Sequence, residues 1–224
     1  TAEGVLYEVD MRLRPSGNKG PVATSLASFT DYHRNQAWTW EGLALTRARV
    51  VAGDPGLAEE LKGAIAEALS RPRDGAKILT DVVDMRRMML KENPPDGPWD
   101  IKRTPGGLVD IEFIAQYLQI THGHETPKVL AVTTLRALER LVQAGYLSEA
   151  DGSRLKAACL VYQRLTQVLR LCVTGPYDPK QVPAGLNRLV ASASAMPDIA
   201  SAEALITETQ AQVAELFSRL VGPL

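Results

Sequence analysis

Aromatic residues make up only 5% of the 224 residues, cysteine occurs twice, histidine three times, and the formal net charge is −1. The balanced charge leaves no basic field for wrapping nucleic acid and no polybasic tail for an acidic membrane surface. No stretch approaches the roughly 18 uninterrupted apolar residues of a membrane span, and no basic-then-apolar leader opens the sequence. Cys159 and Cys172 stand 13 positions apart in what reads as one helix. At about 1.5 Å per residue that separation is roughly 20 Å, beyond disulfide reach, and it matches no metal-ligand spacing. Both read as buried thiols in a reducing compartment. His122 and His124 form a His-Gly-His loop, where an isolated, exposed pair usually binds no metal. These absences point to a cytoplasmic protein with neither nucleic acid nor membrane as a partner. What remains is ordinary: 45% hydrophobic residues over a length slightly above one typical domain.

Residues 4–14 read as a strand interior to a fold, with Val5, Tyr7 and Val9 alternating with Leu6, Glu8 and Asp10. A single strand needs partners. Nearly everything downstream reads as helix, so the expected partners lie upstream of this sequence. A turn at 15–20 follows, then a short second strand at 22–25. Ser28 is the expected N-cap of a long helix that ends before Gly53-Asp54-Pro55 and sets Phe29, Tyr32, Gln36, Trp40, Leu43 and Arg47 on one face. Further helices are expected over 57–69, 76–91, 108–121, 129–144, 148–173 and 201–221, with a weaker one at 186–191. Residues 93–98 read as a proline-rich loop and 99–103 as a short extended piece. Along 148–173, Leu155, Ala158, Tyr162, Leu165, Leu169 and Cys172 repeat at the spacing of a bundle seam. The fold class is mainly α: residues 1–27 as the remnant of a sheet-containing domain, then a helical domain over 28–224.

Four segments carry side chains suited to chemistry. In the first strand, alternation places Glu8, Asp10, Arg12 and Arg14 on one face. A carboxylate there suits a divalent ion and the guanidiniums suit phosphate oxygens; a solvent face with cross-strand ion pairs explains the same pattern. Trp38, Glu41, Leu45 and Arg49 fall on one helical face, which reads most simply as two indoles (Trp38 and Trp40) anchoring a core with arginines on its rim. Around Asp100-Ile-Lys102-Arg103-Thr-Pro-Gly-Gly107-Leu-Val-Asp110-Ile-Glu112, two glycines lead into a helix whose free N–H groups suit an anion. The early acids Asp110 and Glu112 also simply complement the helix dipole. The run Met85, Arg86, Arg87, Met88, Met89 reads as gap-filling core and is assigned no site.

Three stretches in one order go further: GVLYEVDMRLRPSGNKG, FTDYHRNQAWTWEGLALTRARVVAGD and DIKRTPGGLVDIEFIAQYLQ. Together they resemble the bacterial glutamine synthetase adenylyltransferases, strongly over residues 4–124 and in character and length beyond. That family is bifunctional, with two related nucleotidyltransferase halves. One half transfers AMP from ATP to a tyrosine hydroxyl of glutamine synthetase and the other removes it by phosphorolysis. The Tyr-Glu-Val-Asp-x-Arg-Leu-Arg-Pro-Ser-Gly and Ala-Trp-Thr-Trp-Glu motifs are more similar to the C-terminal, adenylylating half.

The resemblance implies a polymerase β-like nucleotidyltransferase domain whose strands present three acidic ligands for magnesium. Asp10 matches the third; the other two belong to a Gly-Ser-x-Asp-x-Asp segment that occurs nowhere in this sequence. Transfer through two metals cannot be assembled on one aspartate, so the chain by itself is expected to be inactive. By the same resemblance, Arg12, Arg14 and Lys102 are the expected contacts to ATP phosphates, and Asp110 and Glu112 the cleft-lining acids, with a structural role for both equally open. Glutamine synthetase is the implied protein substrate and a PII-type signal protein the implied regulator. Two other readings stay open: a PII uridylyltransferase-like enzyme, and a non-catalytic helical module that docks glutamine synthetase or PII.

Overall fold

The computed structural model describes residues 10, 11 and 13–224. The strand expected over 4–14 therefore falls mostly outside the described residues, with Glu8 and Arg12. The short strand expected at 22–25 does not form; the chain bends there and runs directly into a helix. Among the described residues the structure is helical, with α1 (Leu26–Asn35), α2 (Thr39–Leu45), α3 (Pro55–Leu69), α4 (Gly75–Glu92), α5 (Leu108–His122), α6 (Thr134–Gln143), α7 (Glu149–Cys172), α8 (Ala184–Ala193) and α9 (Ile199–Leu220). No helix among them is long and apolar enough to cross a membrane.

Side-chain caps set most of the starts. Asp54 accepts from Leu57 N at 3.0 Å with Pro55 in the first turn, and Asp74 accepts from Ala76 N at 2.9 Å and Lys77 N at 3.2 Å. Ser148 and Asp198 do the same for α7 and α9. At α1 the cap is Ser25 rather than Ser28, whose own N–H donates to the Ser25 hydroxyl oxygen at 3.2 Å.

The single long helix expected after residue 28 is two helices. Glu41 reaches back to accept from the Trp38 backbone N–H at 2.8 Å, which starts a new helix where the first could have continued. The same carboxylate accepts from the Tyr32 hydroxyl at 2.7 Å, so one buried acid ties α1 to α2. This break turns both indoles outward. Trp38 is 69% exposed and Trp40 40%, so neither anchors the core.

Residues 129–144 also divide, into a 3-10 turn at Pro127–Val129 and then α6. Gln119 accepts from Ala131 N at 2.7 Å, and Arg140 donates to Leu130 O, pinning the intervening segment against α5 and α6. The stretch 99–103 is a turn, not an extended piece, closed by Arg103 N donating to Asp100 O at 3.1 Å.

Helix α5 is central and touches α2, α4, α6, α7 and α9. Its Ile111, Ile114 and Leu118 meet Leu138 and Leu141 of α6, Leu155 and Leu165 of α7, and Ile206 and Phe217 of α9 in one continuous core. The α7 seam holds as far as Leu165. Beyond it the seam is only partly covered: Leu169 is half-buried against the core, and Cys172 is exposed whereas Cys159 is buried.

Candidate functional site

A cleft of about 700 Å³ opens between residues 13–15, α1, α2, α4 and α5. Its floor is apolar, formed by Phe29, Leu43, Met85, Met89, Val109 and Phe113, with Trp40 on the wall. Charged side chains reach it from separate parts of the chain: Arg14 before α1, Arg47 after α2, Lys102 before α5 and Glu112 on α5. An apolar cavity of this size with a few convergent charges is the usual form of a small-molecule site.

Three of the residues singled out from sequence therefore meet in one place. Arg14 spends two of its nitrogens on the backbone, with Nη1 donating to Met11 O at 2.7 Å and Nε to Gly20 O at 3.3 Å; this holds residues 14–20 in a turn at the cleft mouth. Lys102 is exposed, and its ammonium makes no hydrogen bond or ion pair among the described residues. Glu112 accepts from Arg47 at 2.8 Å, a partly hydrated pair worth well under about 1 kcal/mol. His33 packs against Phe29 with ring centroids 4.4 Å apart, and burial there lowers its pKa.

Asp10 is exposed and does not line the cleft. Arg12 lies outside the described residues. Among the described residues, no three histidine, cysteine or carboxylate side chains come together as a metal-holding group. One exposed carboxylate does not provide the donor set for a magnesium ion, so the described residues alone do not make that site.

Asp110 is beneath the cleft rather than on its wall. It is fully buried, paired with Arg86 of α4, and accepts from the Gly106 backbone N–H at 2.5 Å. Burial pushes its carboxyl up, against the downward pull of the Arg86 guanidinium and the Gly106 N–H. The anion at the glycine pair is thus the chain's own carboxylate. Leu108 N and Val109 N are also taken, by Ile101 O at 2.9 Å and Lys102 O at 3.2 Å, so the α5 terminus offers no open cradle to a phosphate.

Arg86 was not recognisable as more than one basic residue among methionines. Its burial follows only from the facing Asp110, 24 positions later. Arg47 joins the cleft because α2 ends at Leu45 and the following turn redirects it. Arg49 leaves the face on which the sequence pattern had placed it with Trp38 and Glu41.

Residues 1–64 match the family described as glutamate-ammonia ligase adenylyltransferase, and residues 84–221 match the one described as GlnD PII-uridylyltransferase. Across the whole chain, a bifunctional glutamine synthetase adenylyltransferase/adenylyl-removing enzyme of Bradyrhizobium diazoefficiens is 48% identical over 221 residues, covering 99% of this chain. A protein of the same description from Rhizobium meliloti is 49% identical over 225 residues, again covering 99% of this chain. The chain belongs to the glutamine synthetase adenylyltransferase family.

It spans 22% of the length of the first of these adenylyltransferase relatives and 23% of the second. The cleft straddles the two family matches. Arg14, His33, Trp40 and Arg47 come from the stretch matching the adenylyltransferase description, and Met85, Lys102 and Glu112 from the stretch matching the uridylyltransferase one.

Proposed function

We propose that this chain is part of the adenylylating, C-terminal half of a glutamine synthetase adenylyltransferase, in which AMP passes from ATP to a tyrosine hydroxyl of glutamine synthetase. The observation that carries this reading is the cleft: Arg14 and Lys102, from two motifs about ninety residues apart in sequence, line one cavity with an apolar floor. The floor suits a nucleobase and the two cations suit polyphosphate oxygens. Residues 1–27 then close a nucleotidyltransferase domain and 28–224 form the helical domain that covers it. Asp10 is one ligand of a magnesium site completed by the Gly-Ser-x-Asp-x-Asp segment that this sequence lacks. A PII-type protein is the proposed regulator, on the strength of the uridylyltransferase-type match over residues 84–221.

Two polypeptides test the reading: this chain, and the chain extended upstream to include the missing acidic segment. Each is mixed with glutamine synthetase and magnesium-ATP, and the synthetase subunit is followed by intact mass. Addition of one AMP by the extended polypeptide alone is expected. Transfer by the short chain would overturn the account of Asp10, and no transfer by either would overturn the adenylylating reading. UTP replaces ATP in a parallel arm, where transfer to PII would favour the uridylyltransferase alternative.

A further inference from the structure

The loop at residues 97–107 is bonded to itself and to the bundle at several points, yet the ammonium of the one lysine it sends into the cleft makes no bond of its own among the described residues. Gly97 O accepts from the Thr104 hydroxyl at 2.9 Å, and Pro98 O accepts from Gln210 Nε2 at 2.8 Å. Trp99 Nε1 donates to Glu203 at 2.8 Å. Gly106 O accepts from the Tyr162 hydroxyl at 3.1 Å. The two innermost attachments come from one ion pair. Arg86 Nη2 donates to Arg103 O at 2.8 Å while its Nε meets Asp110, and the other Asp110 oxygen holds the Gly106 N–H. Lys102 immediately precedes the first of those two points, on the cleft wall.

Arg86 and Asp110 are 1% and 0% exposed and touch no part of the cleft. A buried ion pair is a weak source of net stability, because desolvation offsets most of its attraction and apolar residues of similar shape often do as well. What it does supply is geometry, since a guanidinium with two fixed partners and a carboxylate with two fixed donors allow one arrangement of the loop. We propose that Arg86 and Asp110 are positioning residues, whose buried pair fixes the loop so that the Lys102 ammonium meets the anionic part of the substrate at one place in the cleft. This rests on the nucleotide-transfer reading above.

The test is a double-variant cycle in the full-length enzyme, read as AMP transfer to glutamine synthetase with thermal midpoints followed in parallel. Lys102→Ala and Arg86→Lys are each expected to lower kcat/KM for ATP on the order of 10- to 100-fold, mainly through KM, with KM for the synthetase unchanged. The double variant is expected to be no worse than Lys102→Ala alone, because the loop has nothing further to position. Losses that multiply in the double variant, or a wild-type rate in Arg86→Lys, would overturn the proposal. If Arg86→Lys does not fold, Asp110→Asn, which keeps the shape and an acceptor for Gly106, enters the same cycle. Failure of both to fold assigns the pair to stability and also overturns it. If the unaltered enzyme transfers no AMP, the functional reading fails instead. Positioning is then read from hydrogen exchange of the Gly107 and Leu108 amides, which Arg86→Lys must accelerate locally.

Discussion

The Tyr32 hydroxyl donates to Glu41 at 2.7 Å, joining the end of one helix to the start of the next through a carboxylate only 4% exposed. Burial and this contact with Glu41 raise the Tyr32 pKa. Removing the hydroxyl with Tyr32→Phe leaves Glu41 still bonded to Trp38 N and should cost about 1 kcal/mol in urea unfolding. Glu41→Leu deletes both bonds and the helix start together, and should cost about 2–3 kcal/mol. Equal losses in the two variants would show that the Trp38 contact contributes nothing.

Two glycines with nearly the same φ separate strain from crowding. Gly106 has φ 79° and Gly145 φ 78°, but a Cβ on Gly106 would sit 1.8 Å from Gln210 O, whereas one on Gly145 meets nothing within 4 Å. Gly145→Ala should therefore cost only the left-handed backbone penalty, about 1 kcal/mol. Gly106→Ala should cost roughly 2–4 kcal/mol, because α9 must also move. Thermal or urea unfolding of the two variants compares them directly.

Cysteine labelling checks the depth of α7. Burial pushes the Cys159 thiol up to about 11, while Cys172 is exposed at the end of the same helix. Near pH 8 a maleimide should modify Cys172 alone, with Cys159 reacting only after denaturation. Rapid labelling of both thiols in the native protein would contradict the packing of the α7 seam.

Acid should loosen the contact between α7 and α9. Asp151 accepts from Arg219 at 2.8 Å and from the Ser148 hydroxyl at 2.7 Å, and the Arg219 contact above all holds its carboxyl below the usual range. A depressed carboxylate contributes stability that is complete above its unfolded pKa, about 4, and disappears as pH falls through the lower folded value. The thermal midpoint should thus drop below about pH 4, and less steeply in Asp151→Asn. An identical acid profile in that variant would remove Asp151 from the account.

Asp10→Asn in the full-length enzyme should nearly abolish AMP transfer while leaving the helical domain folded by circular dichroism. Retained transfer would end the assignment of Asp10 as a metal ligand.

Much of the helical pattern was legible because it is written locally. Asp54-Pro55 and Asp74 announce α3 and α4 within two or three residues, and the α7 seam repeats at helical spacing as far as Leu165. The errors came where a distant side chain decides. Nothing near Trp38 says that Glu41 will break a helix pattern which continues on both sides, so two apolar indoles were read as core. The glycine pair before α5 has the look of an anion cradle, and only the folded chain shows Asp110 filling it. Arg86 carries no site in the sequence reading of its methionine-rich run because its partner is on another helix. Arg14 stands out by alternation as well as by family resemblance, whereas the roles of Lys102 and Glu112 come from the resemblance, and the cleft that gathers all three depends on how α1, α2, α4 and α5 pack.

The attachments of the 97–107 loop also impose an order in time. Trp99 finds Glu203 104 positions later, and Pro98 finds Gln210 112 positions later, both on α9. During synthesis the segment bearing Lys102 emerges long before either partner exists, so that wall of the cleft cannot be finished until α9 has left the ribosome and docked. The cleft is therefore among the last parts of this bundle to mature.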